Sequence, residues 1–146
     1  GNLETAKALL NFRASIDQVD RDGTTALFMA SQTGQLAIAE LLVQSRADVN
    51  EAQNNGVTPL SLASGNGHLE VTRFLVEKNA NVNQADNDNV TPTYMASQDG
   101  HVEVVRFLVG NNADLNKADN ENITPLNASA DNGHIKVVEL LLEPRV

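Results

Sequence analysis

Apolar positions along this chain come in short bursts separated by polar, turn-rich stretches. The best-defined burst runs from His68 to about Lys78, where Leu69, Val71, Phe74, Leu75 and Val76 fit one face of a helix. A shorter helix is expected just before it, from about Thr58 to Gly65. The Thr58 hydroxyl can accept from the free N–H groups of a helix start, and Pro59 at the first helical position loses no hydrogen bond. Gly67, between the two helices, permits a left-handed turn that an L-residue resists. Beyond the second helix the chain is rich in Asn, Asp and Gly, residues that favour turns. Asn54-Asn55-Gly56 and Asp22-Gly23 read as tight-hairpin signals. The predicted order is helix, turn, helix, projecting loop.

That order recurs. Thr25, Thr58, Thr91 and Thr124 lie 33 residues apart, as do Gly34, Gly67, Gly100 and Gly133, and also Asn50, Asn83 and Asn116. Further columns keep the register: Ala30, Ala63 and Ala96; His68, His101 and His134; Leu42, Leu75, Leu108 and Leu141; Ala47, Ala80 and Ala113. A period of this length marks a stacked repeat architecture. One such unit cannot bury its apolar face alone, whereas neighbours in a stack share a continuous core.

Gly56-Val57-Thr58-Pro59-Leu60, Ala63, Gly67-His68-Leu69-Glu70-Val71 and Asn81-Val82-Asn83 closely resemble the ankyrin repeat consensus. Thr91-Pro92, Gly100-His101-Val102-Glu103-Val104-Val105 and Ala113-Asp114-Leu115-Asn116 resemble it equally, and the resemblance covers essentially the whole chain. It implies an all-α repeat solenoid of stacked helix–turn–helix units with β-hairpin-like loops projecting sideways. On this register residues 1–146 form a single domain, with complete repeats at 20–52, 53–85 and 86–118. A partial repeat at 1–19 precedes them and a truncated one at 119–146 follows. Neither end carries the polar capping unit that solenoids normally require. The sequence therefore reads as part of a longer array or as an engineered scaffold. A monomer is expected, with end-to-end association open to its uncapped terminal repeats.

Departures from the family pattern carry their own expectations. Asn89 and Asn122 stand where Gly23 and Gly56 supply the loop glycine, and Asn is the next most tolerant of positive φ. After the second helix the family's Gly is replaced by Asn79 and Asn112, and less favourably by Arg46 and Arg13. Thr93 replaces the Leu found at Leu27, Leu60 and Leu126. A buried hydroxyl needs a partner, so 86–118 is expected to be the softest layer.

Composition narrows the chemistry. Phe occurs four times, Tyr once and Trp never, which suits thin aliphatic layers better than one large aromatic core. The net charge of −9 argues against nucleic acid and anionic membranes, both of which call for Lys and Arg. Without Cys there is neither a disulfide nor a thiolate metal site, and no apolar run approaches the ~20 residues of a membrane-spanning helix. No signal-peptide pattern opens the sequence, and an intracellular location is expected. The three His residues fall one repeat apart, on the order of 10 Å, whereas zinc needs ligands at about 2.0–2.1 Å. Inter-repeat and helix-start hydrogen bonding is their expected role. Ser97, Asp99 and His101, like Asn132 beside His134, straddle a turn and offer no cleft in which a triad could converge. Asp86-Asn87-Asp88-Asn89 lacks the Gly and Glu that complete a calcium loop. The reading is a non-catalytic chain without cofactor or metal.

Partners of ankyrin repeats commonly dock in a concave groove lined by hairpin tips and first helices. Carried over by resemblance, the groove positions at the tips are Arg21, Asp22 and Thr24; Asn54, Asn55 and Val57; Asn87, Asp88 and Val90; Asn120, Glu121 and Ile123. At the ends of the first helices they are Gln32, Thr33, Asn66, Gln98, Asp99, Asp131 and Asn132. Acids dominate this face: Asp20, Asp22, Asp86, Asp88, Asp99, Asp119, Glu121 and Asp131, against Arg21 alone. Lys7, Arg73, Arg106 and Lys136 map to second helices, and Arg13, Arg46 and Lys78 to the loops after them. Turn chemistry accounts for Asp20, Asp86 and Asp119 but not for Asp88, Asp99, Glu121 or Asp131. Val57, Val90 and Ile123 form an apolar row, and Phe28 and Tyr94 are candidate aromatic anchors, though interlayer packing is the plainer role for both. The expected partner is a protein, in particular a basic segment; the alternative is a scaffold with no natural partner. The resemblance also implies that Asn50, Asn83 and Asn116 are open to an asparaginyl hydroxylase. Loop-tying side-chain amides account for them without one.

Overall fold

A computed structural model describes residues 16–143. Lys7, Arg13 and most of the expected partial repeat 1–19 lie outside them. The described residues form eight helices in four pairs: α1 (Ala26–Gln32) with α2 (Leu36–Gln44), α3 (Pro59–Gly65) with α4 (Leu69–Glu77), α5 (Pro92–Gln98) with α6 (Val102–Gly110), and α7 (Pro125–Asp131) with α8 (Ile135–Leu142). No loop forms a strand among the described residues. Each first helix packs on the first helix of the next pair, and second helices stack likewise.

Local chemistry sets these boundaries. Thr25, Thr58, Thr91 and Thr124 cap the first helices, their hydroxyls accepting from the N–H groups of Phe28, Ser61, Tyr94 and Asn127. Pro59, Pro92 and Pro125 open the first turn where an N–H would go unused. Gly34, Gly67, Gly100 and Gly133 then take φ values between +69° and +77° and reverse the chain. Space matters as much as dihedral freedom: a Cβ on Gly67 would lie 2.6 Å from His101 Nδ1. The His rings thus pack across layers. His68 Nε2–H donates to the Gln32 carbonyl at 3.0 Å and His134 Nε2–H to that of Gln98 at 2.9 Å. The helix-start half of their expected role is absent, since no His side chain caps its helix. Each ring is drawn to the layer before it instead.

The loop amides also work between layers. Asn50 Oδ1 accepts from the Asn81 N–H at 2.8 Å, and Asn83 Oδ1 from that of Asp114 at 2.7 Å. Each ties down the loop of the following layer rather than its own. Arg46 takes φ +73°, a value costly for a side chain without Asn's local hydrogen bonding, while Asn79, Asn89, Asn112 and Asn122 take +61° to +68°.

The buried apolar residues fall into two clusters. Leu27, Leu42, Leu60, Ala63, Val71 and Leu75 belong to one, and Ala96, Val104, Val105, Leu108, Val137 and Leu140 to the other. Thr93 belongs to neither. It is 0% exposed and its hydroxyl has no partner, as anticipated for the odd residue of the Leu column. Ser31, Ser64, Thr72 and Ser97 are also buried with unpartnered hydroxyls.

Candidate functional site

Three of the four tips are built on an Asp. Asp20 Oδ1 accepts from the N–H groups of Asp22 and Thr24, both at 2.9 Å. Asp86 does the same for Asp88 and Val90, and Asp119 for Glu121 and Ile123, at 2.8–2.9 Å. The Thr24 and Ile123 N–H bonds hold Asp20 and Asp119 below the ordinary carboxylate range. Gln53 occupies this place in the second tip. It donates to the Thr24 hydroxyl at 2.7 Å, and Asn55 Oδ1 accepts the Val57 N–H at 3.1 Å instead.

Successive tips are stitched together. The N–H groups of Asn54, Asn87 and Asn120 donate to the carbonyls of Asp22, Asn55 and Asp88, at 2.9–3.0 Å. Their side-chain amides donate to the carbonyls of Arg21, Asn54 and Asn87, at 2.9–3.2 Å. Asn54, Asn87 and Asn120 are exposed, as groove positions would be, and their amides also serve the stack. Thr24, Val57, Val90 and Ile123 are half-buried, so the expected apolar row is an edge rather than a ridge. Arg21, Asp22, Asn55, Asp88 and Glu121 are exposed.

At the ends of the first helices, Gln32, Thr33, Asn66, Gln98, Asp99, Asp131 and Asn132 are all exposed. Thr33, Asn66 and Asn132 donate back to the carbonyls of Met29, Leu62 and Ala128 at 2.8–2.9 Å. Tyr94 links the tips to these ends. Its hydroxyl donates to Asp119 Oδ2 at 2.9 Å. Burial first, then the Asp119 hydrogen bond and the charges of Asp119, Glu121 and Asp131, push its pKa up to about 12. With its residue only 5% exposed, the ring fills space between layers, and the anchor role considered for it does not hold. Phe28 is equally enclosed.

A row missed from the sequence lies beside these residues. Met29 is 48% exposed, and Leu62 and Met95 are half-buried at the equivalent position of the next two layers. Met95 rests on Gly65, where a Cβ would come within 3.1 Å of its Cε. The 33-residue column was visible, but its Met–Leu–Met identity hides it from a match by residue type.

Cations with a described ring or carboxylate contact lie on the second helices or at their ends. Arg73 stacks over the Phe107 ring at 4.7 Å, and Lys78 over Phe74 at 5.8 Å. Arg106 pairs with Glu103 at 3.9 Å on the same helix. Among the described residues, no group of three or more His, Cys, Asp or Glu is placed to hold a metal ion. No helix there is long and apolar enough to cross a membrane.

The family model for ankyrin repeats, three copies, matches residues 1–86 and again 80–146. No curated protein matches the chain.

Proposed function

Because the chain belongs to the ankyrin repeat family, whose repeats are in general protein–protein interaction modules, we propose that it binds a basic protein segment along its tips and first helices. The units that would line this face are the repeats 20–52, 53–85, 86–118 and 119–146. The family is typically non-catalytic, which accords with a binding role.

The observation that carries this reading is the uneven charge of the two faces. Asp88, Asp99, Glu121 and Asp131 are exposed, and none has an ion-pair partner among the described residues. Arg73, Lys78 and Arg106 are engaged with rings or a carboxylate of the second helices. Complementary charge mainly speeds association and selects among partners. Apolar contact then falls to Met29, Leu62 and Met95, aided by the edges of Val57, Val90 and Ile123. Tyr94 drops out of the contact set.

The test is binding of a labelled peptide with arginine at every third residue and leucine among the others, measured at two ionic strengths. Reversing Asp88 and Glu121 to Lys should slow association and flatten its salt dependence, since exposed charges are screened within about 10 Å at 0.1 M. Met95→Ala should instead speed dissociation. If the double reversal leaves association unchanged while substitutions around Phe74 and Phe107 abolish binding, the partner uses the second-helix face. Absence of binding by any basic peptide favours a scaffold without a natural partner.

A further inference from the structure

We propose that Asn55 is a site of spontaneous intramolecular deamidation, singled out from the other Asn–Gly steps by where its carboxamide is tied. The sequence holds three such steps: Asn55-Gly56, Asn66-Gly67 and Asn132-Gly133. Glycine favours the reaction because no side chain shields its nitrogen.

The three steps share most of what could set their rates. Each Asn is exposed. Each Gly has positive φ, at +87°, +72° and +74°. Each Gly N–H donates to a carbonyl three residues back: Gln53 at 2.8 Å, Ser64 at 3.1 Å and Ala130 at 3.0 Å. The nucleophile is therefore similarly held in all three.

The electrophile is not. Asn66 Nδ2 donates to the Leu62 carbonyl and Asn132 Nδ2 to that of Ala128, both at 2.9 Å. Those bonds draw the carboxamide back along its helix, away from the following glycine. Asn55 Oδ1 instead accepts from the Val57 N–H at 3.1 Å. To reach two residues ahead, the carboxamide must lie across the intervening peptide, toward the Gly56 nitrogen. The approach of the reacting atoms is thus part-made in the ground state. The same Val57 N–H points at the oxygen on which negative charge gathers during attack. Gln53 explains why only this tip is so arranged: in the three Asp-led tips the leading carboxylate takes the N–H groups instead.

The chemistry balances without an oxidant or cofactor. A base in solution takes the proton from the Gly56 nitrogen, which attacks Asn55 Cγ and closes a succinimide ring. The Cγ–Nδ2 bond breaks as Nδ2 takes a proton and leaves as ammonia. Water then opens the ring at either carbonyl, giving aspartate or isoaspartate. Aspartate here fills the one neutral place in the tip row of Asp22, Asn55, Asp88 and Glu121. That consequence, and not the reaction, rests on the reading of the face as a receptor for a basic segment.

The experiment is peptide mapping by mass spectrometry during incubation of the full chain, folded at neutral pH and unfolded in urea. In urea the three steps should convert at similar rates. In the folded chain Asn55 should outpace Asn66 and Asn132 by about tenfold or more, a difference of roughly 1.4 kcal/mol in barrier. Comparable folded rates at the three positions, or an Asn55 slower than either, overturn the proposal. A second arm compares Asn55→Asp with the original chain for association with the arginine–leucine peptide. Faster association is expected. No change there, with the mapping result intact, removes the consequence for binding and leaves the modification site standing.

Discussion

Leu60 and Thr93 occupy the same place in adjacent helix pairs, and both are shut off from solvent, at 1% and 0% exposure. Around Leu60 the apolar side chains join the core that begins at Leu27. Thr93 stands between that core and a second one holding Ala96, Val104 and Leu108, and Val76 and Val82 pack against both. The backbones of the two layers are nearly interchangeable: both first helices have seven residues, a Thr cap and a Pro at the first turn. Repetition therefore sets geometry and energy separately. Caps and left-handed glycines shape the layer, and the side chain sealed inside decides how strongly it adheres to its neighbour. The Leu60 layer carries unpartnered hydroxyls too, at Ser64 and Thr72, so what sets the Thr93 layer apart is a hydroxyl in place of a leucine, and in an array whose stability sums over units and interfaces that exchange marks a seam.

The comparison breaks most sharply if the seam can be moved. Leu60→Thr should install the third layer's chemistry in the second and cost roughly 2–4 kcal/mol, combining lost apolar burial with an unsatisfied hydroxyl. Urea unfolding followed with hydrogen exchange would read it. A near-neutral substitution would mean that the layers do not depend on this position. The converse change is smaller. Thr93→Val keeps the shape and the branching while removing the hydroxyl, and should stabilise by about 1–2 kcal/mol. Exchange protection should then rise on both sides of the seam together; a gain confined to α5 would show that Thr93 does not limit the contact between the two cores.

The smallest expected effect is a pH dependence, and it sharpens the comparison from the third layer's far side. Tyr94 ties α5 to the last tip through Asp119, and its pKa stands near 12 against an ordinary value of 10. A group whose folded pKa is raised lends stability below its unfolded value, and that stability is lost as pH rises toward the folded one. The chain should accordingly weaken between about pH 10 and pH 12. Tyr94→Phe should remove that slope while leaving the neutral-pH fold in place. An unchanged alkaline profile in the variant would place the titration elsewhere.

What could be read from the sequence followed from what is local. Thr caps, N1 prolines and glycine turns are demands a single residue makes on its own backbone, so they survive without knowledge of the stack. Thr93 was legible too, because a column of leucines makes the exception visible. The candidate site was half legible. Position along the tip follows from the register, but the direction of a side chain depends on a neighbour 33 residues away. Asn54, Asn87 and Asn120 turn into the adjacent tip because a carbonyl waits there, a partner that only stacking supplies. His68 was half legible: the expected bond to the neighbouring repeat is present, whereas the helix-start cap is not. Tyr94 offered two roles, and only the folded position of Asp119 decides between them.

The stitched tips have a consequence for the kind of chain that can lie along them. Equivalent tip positions recur once per stacked layer, on the order of 10 Å, one helix diameter. A peptide in the polyproline II conformation advances about 3.1 Å per residue with three residues per turn, so every third side chain faces the same way. A ligand lying along the row would therefore meet Asp88 and Glu121 with side chains three residues apart. Because hydrogen bonds between the tips resist both stretching and compression, such a row would measure as well as attract. It would grade basic segments by the interval between their charges, and a segment with cations on every second or every fourth residue would place an uncharged side chain at the adjacent tip.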